Sequence, residues 1–121
     1  MEQVVIGFIP PVVGVNGEFN TFRMGRRYAS LPEGAEVLLM DQKRMVVFGK
    51  ATVLDVSVGP LSALCAVFAS ENHTELEHND GEHAERLYRT LEKIYGPHIV
   101  KPNRTATVIK LRRVSDGFQT A

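Results

Sequence analysis

The chain has no charge of either sign in excess: fourteen Lys and Arg balance fourteen Asp and Glu. That balance excludes capture of nucleic acid by the surface as a whole, so any such binding requires a local patch. Cysteine is nearly missing as well. The single Cys65 has no internal disulfide partner, and its neighbours in "LSALCAVFA" place it in an apolar core. Long hydrophobic runs are also lacking, since nothing approaches the roughly 20 residues of a membrane span. The opening "MEQVVIGFIPPVV" carries neither the basic n-region nor the long apolar h-region of a secretory leader. The expectation is a cytoplasmic protein in a reducing compartment, with no membrane partner. There is no internal repeat and no low-complexity tract. What is present, 44% hydrophobic and 23% charged residues over 121 positions, is the composition of one folded domain spanning 1–121. Only the polar "SDGFQTA" at 115–121 is expected to fray.

The pattern along the chain predicts a mixed architecture. "QVVIGF" reads as a short strand, and "IPPVVGVNG" interrupts it with two prolines and two glycines. "EFNTFR" alternates, with Phe19, Thr21 and Arg23 on one face and Asn20 and Phe22 on the other. A loop, "MGRRYASLPEGA", precedes the strand "EVLLM", and "DQKRM" is the next turn. "VVFGKATVLDVSV" is β-branched and holds Gly49, so it predicts a strand bulged near that glycine, with Lys50 at the bend. In "GPLSALCAVFASEN", Pro60 suits a first helical turn, and Leu61, Leu64, Cys65 and Phe68 share a stripe. "DGEHAERLYRTLEKIYG" places Ala84, Leu87, Tyr88, Leu91 and Ile94 at helical spacing. It offers Glu82–Arg86 and Glu85–Arg89 as i,i+4 pairs, Asp80 as a cap and Gly96 as a stop. "RTATVIKLRRV" alternates again and closes the series. The fold class expected is α+β: a small curled β-barrel with two helices before the last strand.

Charge is unevenly distributed. Arg23, Arg26 and Arg27 follow one another at a strand end and its loop, where their guanidinium forks can converge on phosphate oxygens. Tyr28 beside them, or Phe19 on the strand, offers a ring for base stacking. The plain alternative is a set of solvated arginines offset by Glu33, Glu36 and Asp41. A second cluster, "HTELEHNDGEH", holds His73, His78 and His83 among four carboxylates, ligand types that zinc or nickel accept. Its five-residue spacings do not put the imidazoles on one helical face, so the segment reads as an acidic, mobile link and no metal ligand is assigned.

The order of these pieces resembles the ASCH family, a branch of the PUA-like β-barrels associated with RNA and modified nucleosides. The resemblance runs through "GEFNTFR", "LPEGAEVLL", "VVFGKATVLDVSV", the helical "ENHTELEHNDGEHAERLYRTLEKIYG" and "TATVIKLRRV", nearly the whole chain. The second half is most similar to the small amidohydrolases that deacylate N(4)-acetylcytidine. That resemblance implies catalytic roles for Thr21 and Glu71 and a strand position for Arg23. The family's lysine falls in register on Glu18, so the cation that activates a threonine nucleophile must come from elsewhere, with Lys50, Arg23 and Arg26 as candidates.

Several functions follow as expectations. The first is binding of RNA, a nucleotide or a nucleoside in a cleft beside the barrel, with Thr21 and Glu71 lining it. Arg23, Arg26, Arg27, Lys50 and Tyr28 would hold phosphate or base. The second is an amidohydrolase acting on N(4)-acetylcytidine-type nucleosides, or a ribonuclease. A scaffold used only for interactions is the third, expected if Arg23 and Thr21 are buried in mutual contact. No cofactor is implied by any of them.

Overall fold

The computed structural model describes residues 3–114; the segment 115–121, expected to fray, lies outside them. The elements are β1 (Val4–Phe8), β2 (Glu18–Met24), β3 (Glu36–Asp41), β4 (Val46–Pro60), α1 (Leu61–Phe68), a single 3-10 turn (Ala69–Glu71), α2 (His83–Tyr95) and β5 (Thr105–Val114). Five strands form one mixed sheet in the order β1-β3-β4-β5-β2. Only β1 and β3 run parallel; the other pairs are antiparallel. This is the α+β curled barrel expected from the strand and helix periodicities, with both helices ahead of the last strand.

Two bulges bend β4. Its pairing with β3 passes from Leu39↔Gly49 to Met40↔Val47, skipping Phe48, so the irregularity falls at the glycine where the sequence predicts it. A Cβ at Gly49 would stand 2.5 Å from an Arg113 guanidinium nitrogen, so the glycine makes room for that side chain. A second shift, between Val53 and Asp55, skips Leu54. Extra residues on one strand increase local twist, and the sheet curls until Phe8 at the end of β1 meets Phe19 of β2 edge-on, with ring centroids 6.3 Å apart.

The curled sheet separates two apolar cores. Ile6, Phe8, Phe19, Val37, Leu39, Val53, Ile109 and Leu111 fill the concave side. On the convex side, Phe22, Ala106 and Val108 pack against Leu61, Leu64 and Cys65 of α1 and Leu87 and Leu91 of α2. Both faces of β2 are therefore covered. Cys65 is buried, which pushes its thiol up to about 11 and suits it to packing.

Local details depart from the sequence reading in informative ways. Pro60 is extended and still pairs with Thr105, so α1 begins one residue later. Ile94, assigned to the apolar stripe of α2, is 46% exposed, because the helix turns that position past the edge of its contact with α1. The Glu85–Arg89 pair forms, but Arg86 turns away from Glu82. Its Nε donates to both oxygens of Glu75 at 3.0 Å, and its terminal nitrogens donate to Asp80 at 2.9 and 2.8 Å. Asp80 accepts the Glu82 N–H at 3.1 Å rather than capping the helix. Glu75, 1% exposed, also bonds His83 Nδ1 at 3.1 Å. The acidic link read as mobile is thus fastened to α2 by a buried carboxylate, an arrangement that costs dearly if one partner is lost.

Candidate functional site

The extended residues after the 3-10 turn run alongside the free edge of β2. Asn72 forms a parallel bridge with Asn20, and the His73 N–H donates to the Asn20 carbonyl at 3.1 Å. The Asn20 side chain donates in turn to the Phe68 carbonyl at the end of α1, 2.9 Å away. These bonds fix where the two faces of β2 send their neighbours. Asn20 faces α1, while Phe19, Thr21 and Arg23 project to the concave side. His73 joins them, its ring edge-on to Phe8 at 5.1 Å and to Phe19 at 6.2 Å.

Arg23 lies over the Phe8 ring with its guanidinium carbon 5.1 Å from the centroid. Its Nε donates to the Thr21 hydroxyl at 3.2 Å, which bears out the shared face of these two residues. Thr21 is 2% exposed, so its oxygen serves Arg23 and is screened from solvent. Burial holds the Arg23 pKa below the ordinary guanidinium value; Tyr95 and Tyr28 oppose that shift and Arg27 adds to it. Among the described residues no carboxylate forms an ion pair with Arg23. No polar side-chain atom of those residues is both buried and unpartnered, so neither terminal nitrogen of Arg23 is fully buried.

His73, to which the sequence reading gave no role beyond an acidic link, is brought onto this face. Its Nδ1 lies 3.0 Å from the Val13 carbonyl, which requires the proton on Nδ1 and leaves Nε2 as a bare acceptor in the neutral ring. Burial lowers its pKa to about 4, partly offset by the Val13 carbonyl and reinforced by the Arg23 charge. The ring is neutral at pH 7. Gly14 makes this junction fit: it adopts φ +70, and a Cβ there would stand 2.0 Å from the His73 carbonyl oxygen. The loop carrying Val13 and Gly14 and the segment 73–78 then wall a groove of about 500 Å³, with Glu18, Thr74 and Glu77 also on its surface.

The other predicted site residues scatter. Arg26 and Arg27 are exposed on the turn after β2, whose Gly25 is tied to β5 by bonds to Thr105 and Thr107. Tyr28 is 9% exposed, donates to the Val5 carbonyl and has Arg27 over its ring at 5.4 Å. Phe19, at 1%, is likewise core. Lys50 pairs with Glu36 at 3.7 Å; it is registered with Val114 whereas Arg23 is registered with Thr107, about 24 Å away along β5. Lys50 therefore stands apart from Arg23, whereas Tyr28 is near enough to act on the Arg23 charge but has its hydroxyl taken by Val5 and its ring by Arg27.

Glu71 is exposed and lies beside Lys110 of β5, 3.9 Å from its ammonium nitrogen. Lys110 is registered with Asn20, on the helix side of the sheet, so Glu71 and Thr21 belong to opposite faces. Glu18, Glu71, Lys110 and Leu76 line a second hollow of about 210 Å³. Glu18 itself pairs with Arg112 at 3.9 Å. The cation beside Glu71 is thus Lys110, which the sequence could have offered only if the β2–β5 pairing had been known. Among the described residues no three His, Cys, Asp or Glu side chains are grouped to hold a metal ion; His73 is spent on Val13 and His83 on Glu75. No helix of the described residues is long and apolar enough to cross a membrane.

No protein-family model matches the chain, and no curated protein matches its sequence. Solved structures do match its fold. An Enterococcus faecalis protein of the DUF984 family is 13% identical, with TM-score 0.57 over 91% of this chain and 74% of the other. An ASCH protein of Zymomonas mobilis, solved as a point mutant, is 15% identical, with TM-score 0.53 over 98% and 85%. At such identities the likeness speaks for architecture alone, and the architecture is an ASCH-like curled barrel.

Proposed function

We propose that this domain binds RNA or a nucleotide at the concave mouth of the barrel, with Arg23 as the anchor. The observation that carries the reading is the condition of that guanidinium: partly withdrawn from water, laid on Phe8, tethered through Nε to Thr21, and lacking a carboxylate. A cation desolvated without a counter-charge costs stability. Thr21 is buried against Arg23, as a scaffold role would have it, but the terminal nitrogens of Arg23 are not fully buried, and a ligand that brings acceptors to them recovers that cost. Arg26 and Arg27 extend the positive surface outward from the same strand end, in reach of successive phosphates. Fluorescence anisotropy with a labelled single-stranded RNA tests this. Arg23→Met is expected to weaken binding at least tenfold in a folded protein; unchanged affinity overturns the reading.

A second reading, hydrolysis of an acylated cytosine nucleoside, rests on the Lys110–Glu71 pair at the smaller hollow. There Glu71 would act as base towards a water molecule, with Lys110 stabilising the oxyanion. Thr21 has no part in this version, since it opens to the other face. Chromatography of N(4)-acetylcytidine incubated with the protein decides it. Cytidine release lost in both Glu71→Gln and Lys110→Met supports the reading, and absence of release ends it.

A further inference from the structure

The mouth of the barrel pairs a donor group with an acceptor group, and the acceptor restricts what the donor can be holding. The terminal nitrogens of Arg23 present N–H donors and no acceptor. Beside them, on the same Phe8 ring, stands His73. The Val13 carbonyl fixes its proton on Nδ1, so Nε2 offers a lone pair to whatever enters. Among the described residues no hydrogen bond reaches Nε2 or the Arg23 terminal nitrogens, and none of these three atoms is fully buried.

A phosphate satisfies only half of this arrangement. Its oxygens accept from Arg23, but a fully ionised phosphate has no proton for Nε2, and two lone pairs then face each other. An edge that carries an acceptor next to an N–H satisfies both. Resting on the nucleotide-binding reading above, we propose that Arg23 and His73 read the amide-like edge of a nucleobase, the ring nitrogen or carbonyl accepting from Arg23 and the neighbouring N–H donating to His73. The phosphates go to Arg26 and Arg27 on the exposed turn. Stacking on Phe8 is not part of this recognition, because Arg23 already covers that ring and Phe19 is core. The low pKa of His73 supports the same assignment, since it keeps Nε2 unprotonated at neutral pH.

The test uses ligands that separate base from phosphate. Adenosine and cytidine are titrated beside their exocyclic dimethylamino analogues, which lack the donor proton, and beside ribose 5-phosphate. Binding is followed by calorimetry and by the nitrogen resonances of His73 and Arg23. Both nucleosides are expected to bind at least tenfold more tightly than their dimethyl analogues and to shift His73 Nε2. His73→Asn keeps a donor for the Val13 carbonyl but has nothing in the place of Nε2, so it should remain folded and lose that preference. Ribose 5-phosphate is expected to bind independently of His73. Equal affinity for the dimethyl analogues, or a preference that survives His73→Asn, overturns the proposal. If ribose 5-phosphate moves the Arg23 and His73 resonances as strongly as the nucleosides do, base recognition fails while nucleotide binding stands. If neither nucleosides, ribose 5-phosphate nor RNA binds, both readings fall together.

Discussion

If Arg23 is held for a ligand rather than for the fold, removing it together with its tether should not weaken the protein. Thr21→Val alone takes the acceptor from Arg23 Nε, a hydrogen bond to a charged group worth about 2 kcal/mol. At about 4 °C per kcal/mol for a domain of this size, the melting temperature should fall by about 8 °C. Arg23→Met alone gives up that bond and the contact over Phe8, together about 2–3 kcal/mol, and leaves the Thr21 hydroxyl orphaned at 2% exposure. Against these losses it removes the desolvation of a guanidinium with no counter-charge, several kcal/mol in the interior and less at a half-open mouth. The net change should lie within about 1 kcal/mol of zero. The double variant Thr21→Val/Arg23→Met orphans nothing and desolvates nothing, so it should match or exceed the wild type, a coupling of about 2 kcal/mol between the two sites. With no tryptophan in the chain, urea unfolding is followed by far-ultraviolet circular dichroism, comparing midpoints at unchanged slope. Additive losses refute the coupling. A loss of more than about 3 kcal/mol in Arg23→Met refutes the functional assignment, because the arginine would then be a structural peg.

Other consequences are separately measurable. Gly14→Ala forces an L side chain to φ +70 against the His73 carbonyl; it should cost about 2 kcal/mol or more by thermal melting and loosen ligand binding with it. Glu75→Gln weakens a buried bifurcated bond from Arg86 Nε and should lower stability by about 2 kcal/mol, whereas Arg86→Met, which strands the buried Glu75 charge, should lower it further. Replacing Arg26 and Arg27 by alanine should flatten the salt dependence of RNA affinity by at most about 1.4 in slope, and an unchanged slope removes both from the phosphate path. His73, with its pKa lowered to about 4 when folded, binds its proton in the unfolded chain first. Stability should therefore be unaffected by this group above about pH 6.5 and decline as pH falls from there towards 4, by at most about 3 kcal/mol. Arg23, Glu18, Glu77 and His78 share its surroundings, so the His73→Asn variant is needed to isolate the slope.

Faces were legible in the sequence, and partners were not. The alternation in "EFNTFR" put Thr21 and Arg23 on one side of a strand, and their hydrogen bond agrees. The stripe through Leu87 and Leu91 found the core face of α2. Period alone does not say which strand lies next to which. The β2–β5 register joins residues some ninety positions apart, and through it Lys110 comes to stand by Glu71 on the face opposite Thr21. The same blindness misread "HTELEHNDGEH", where composition suggested a solvated acidic link. A single arginine one turn into α2 turns back to bury Glu75, and that contact is invisible until the chain has folded back on itself.

The pinned segment also bears on how a chain with no net charge would take an anion at one end, as proposed. Between 71 and 85 lie six carboxylates and neither lysine nor arginine. Arg86 and Asp80, clasped together, and Glu75 beneath them neutralise part of that charge internally. On the groove that His73 helps to line, Glu77 faces Glu18, whose carboxylate is held by Arg112 at 3.9 Å. On the proposed reading, an anionic chain entering the mouth would be repelled from the groove side and attracted towards Arg26 and Arg27. His73 stands at the boundary, and because it is neutral there it neither adds to the attraction nor masks the acidic wall. A Glu18→Lys variant should therefore strengthen RNA binding through a faster association rate at low salt and lose that advantage as salt is raised. If instead its gain persists at high salt, Glu18 touches the ligand directly and the groove, rather than the arginine turn, is the path of the nucleic acid.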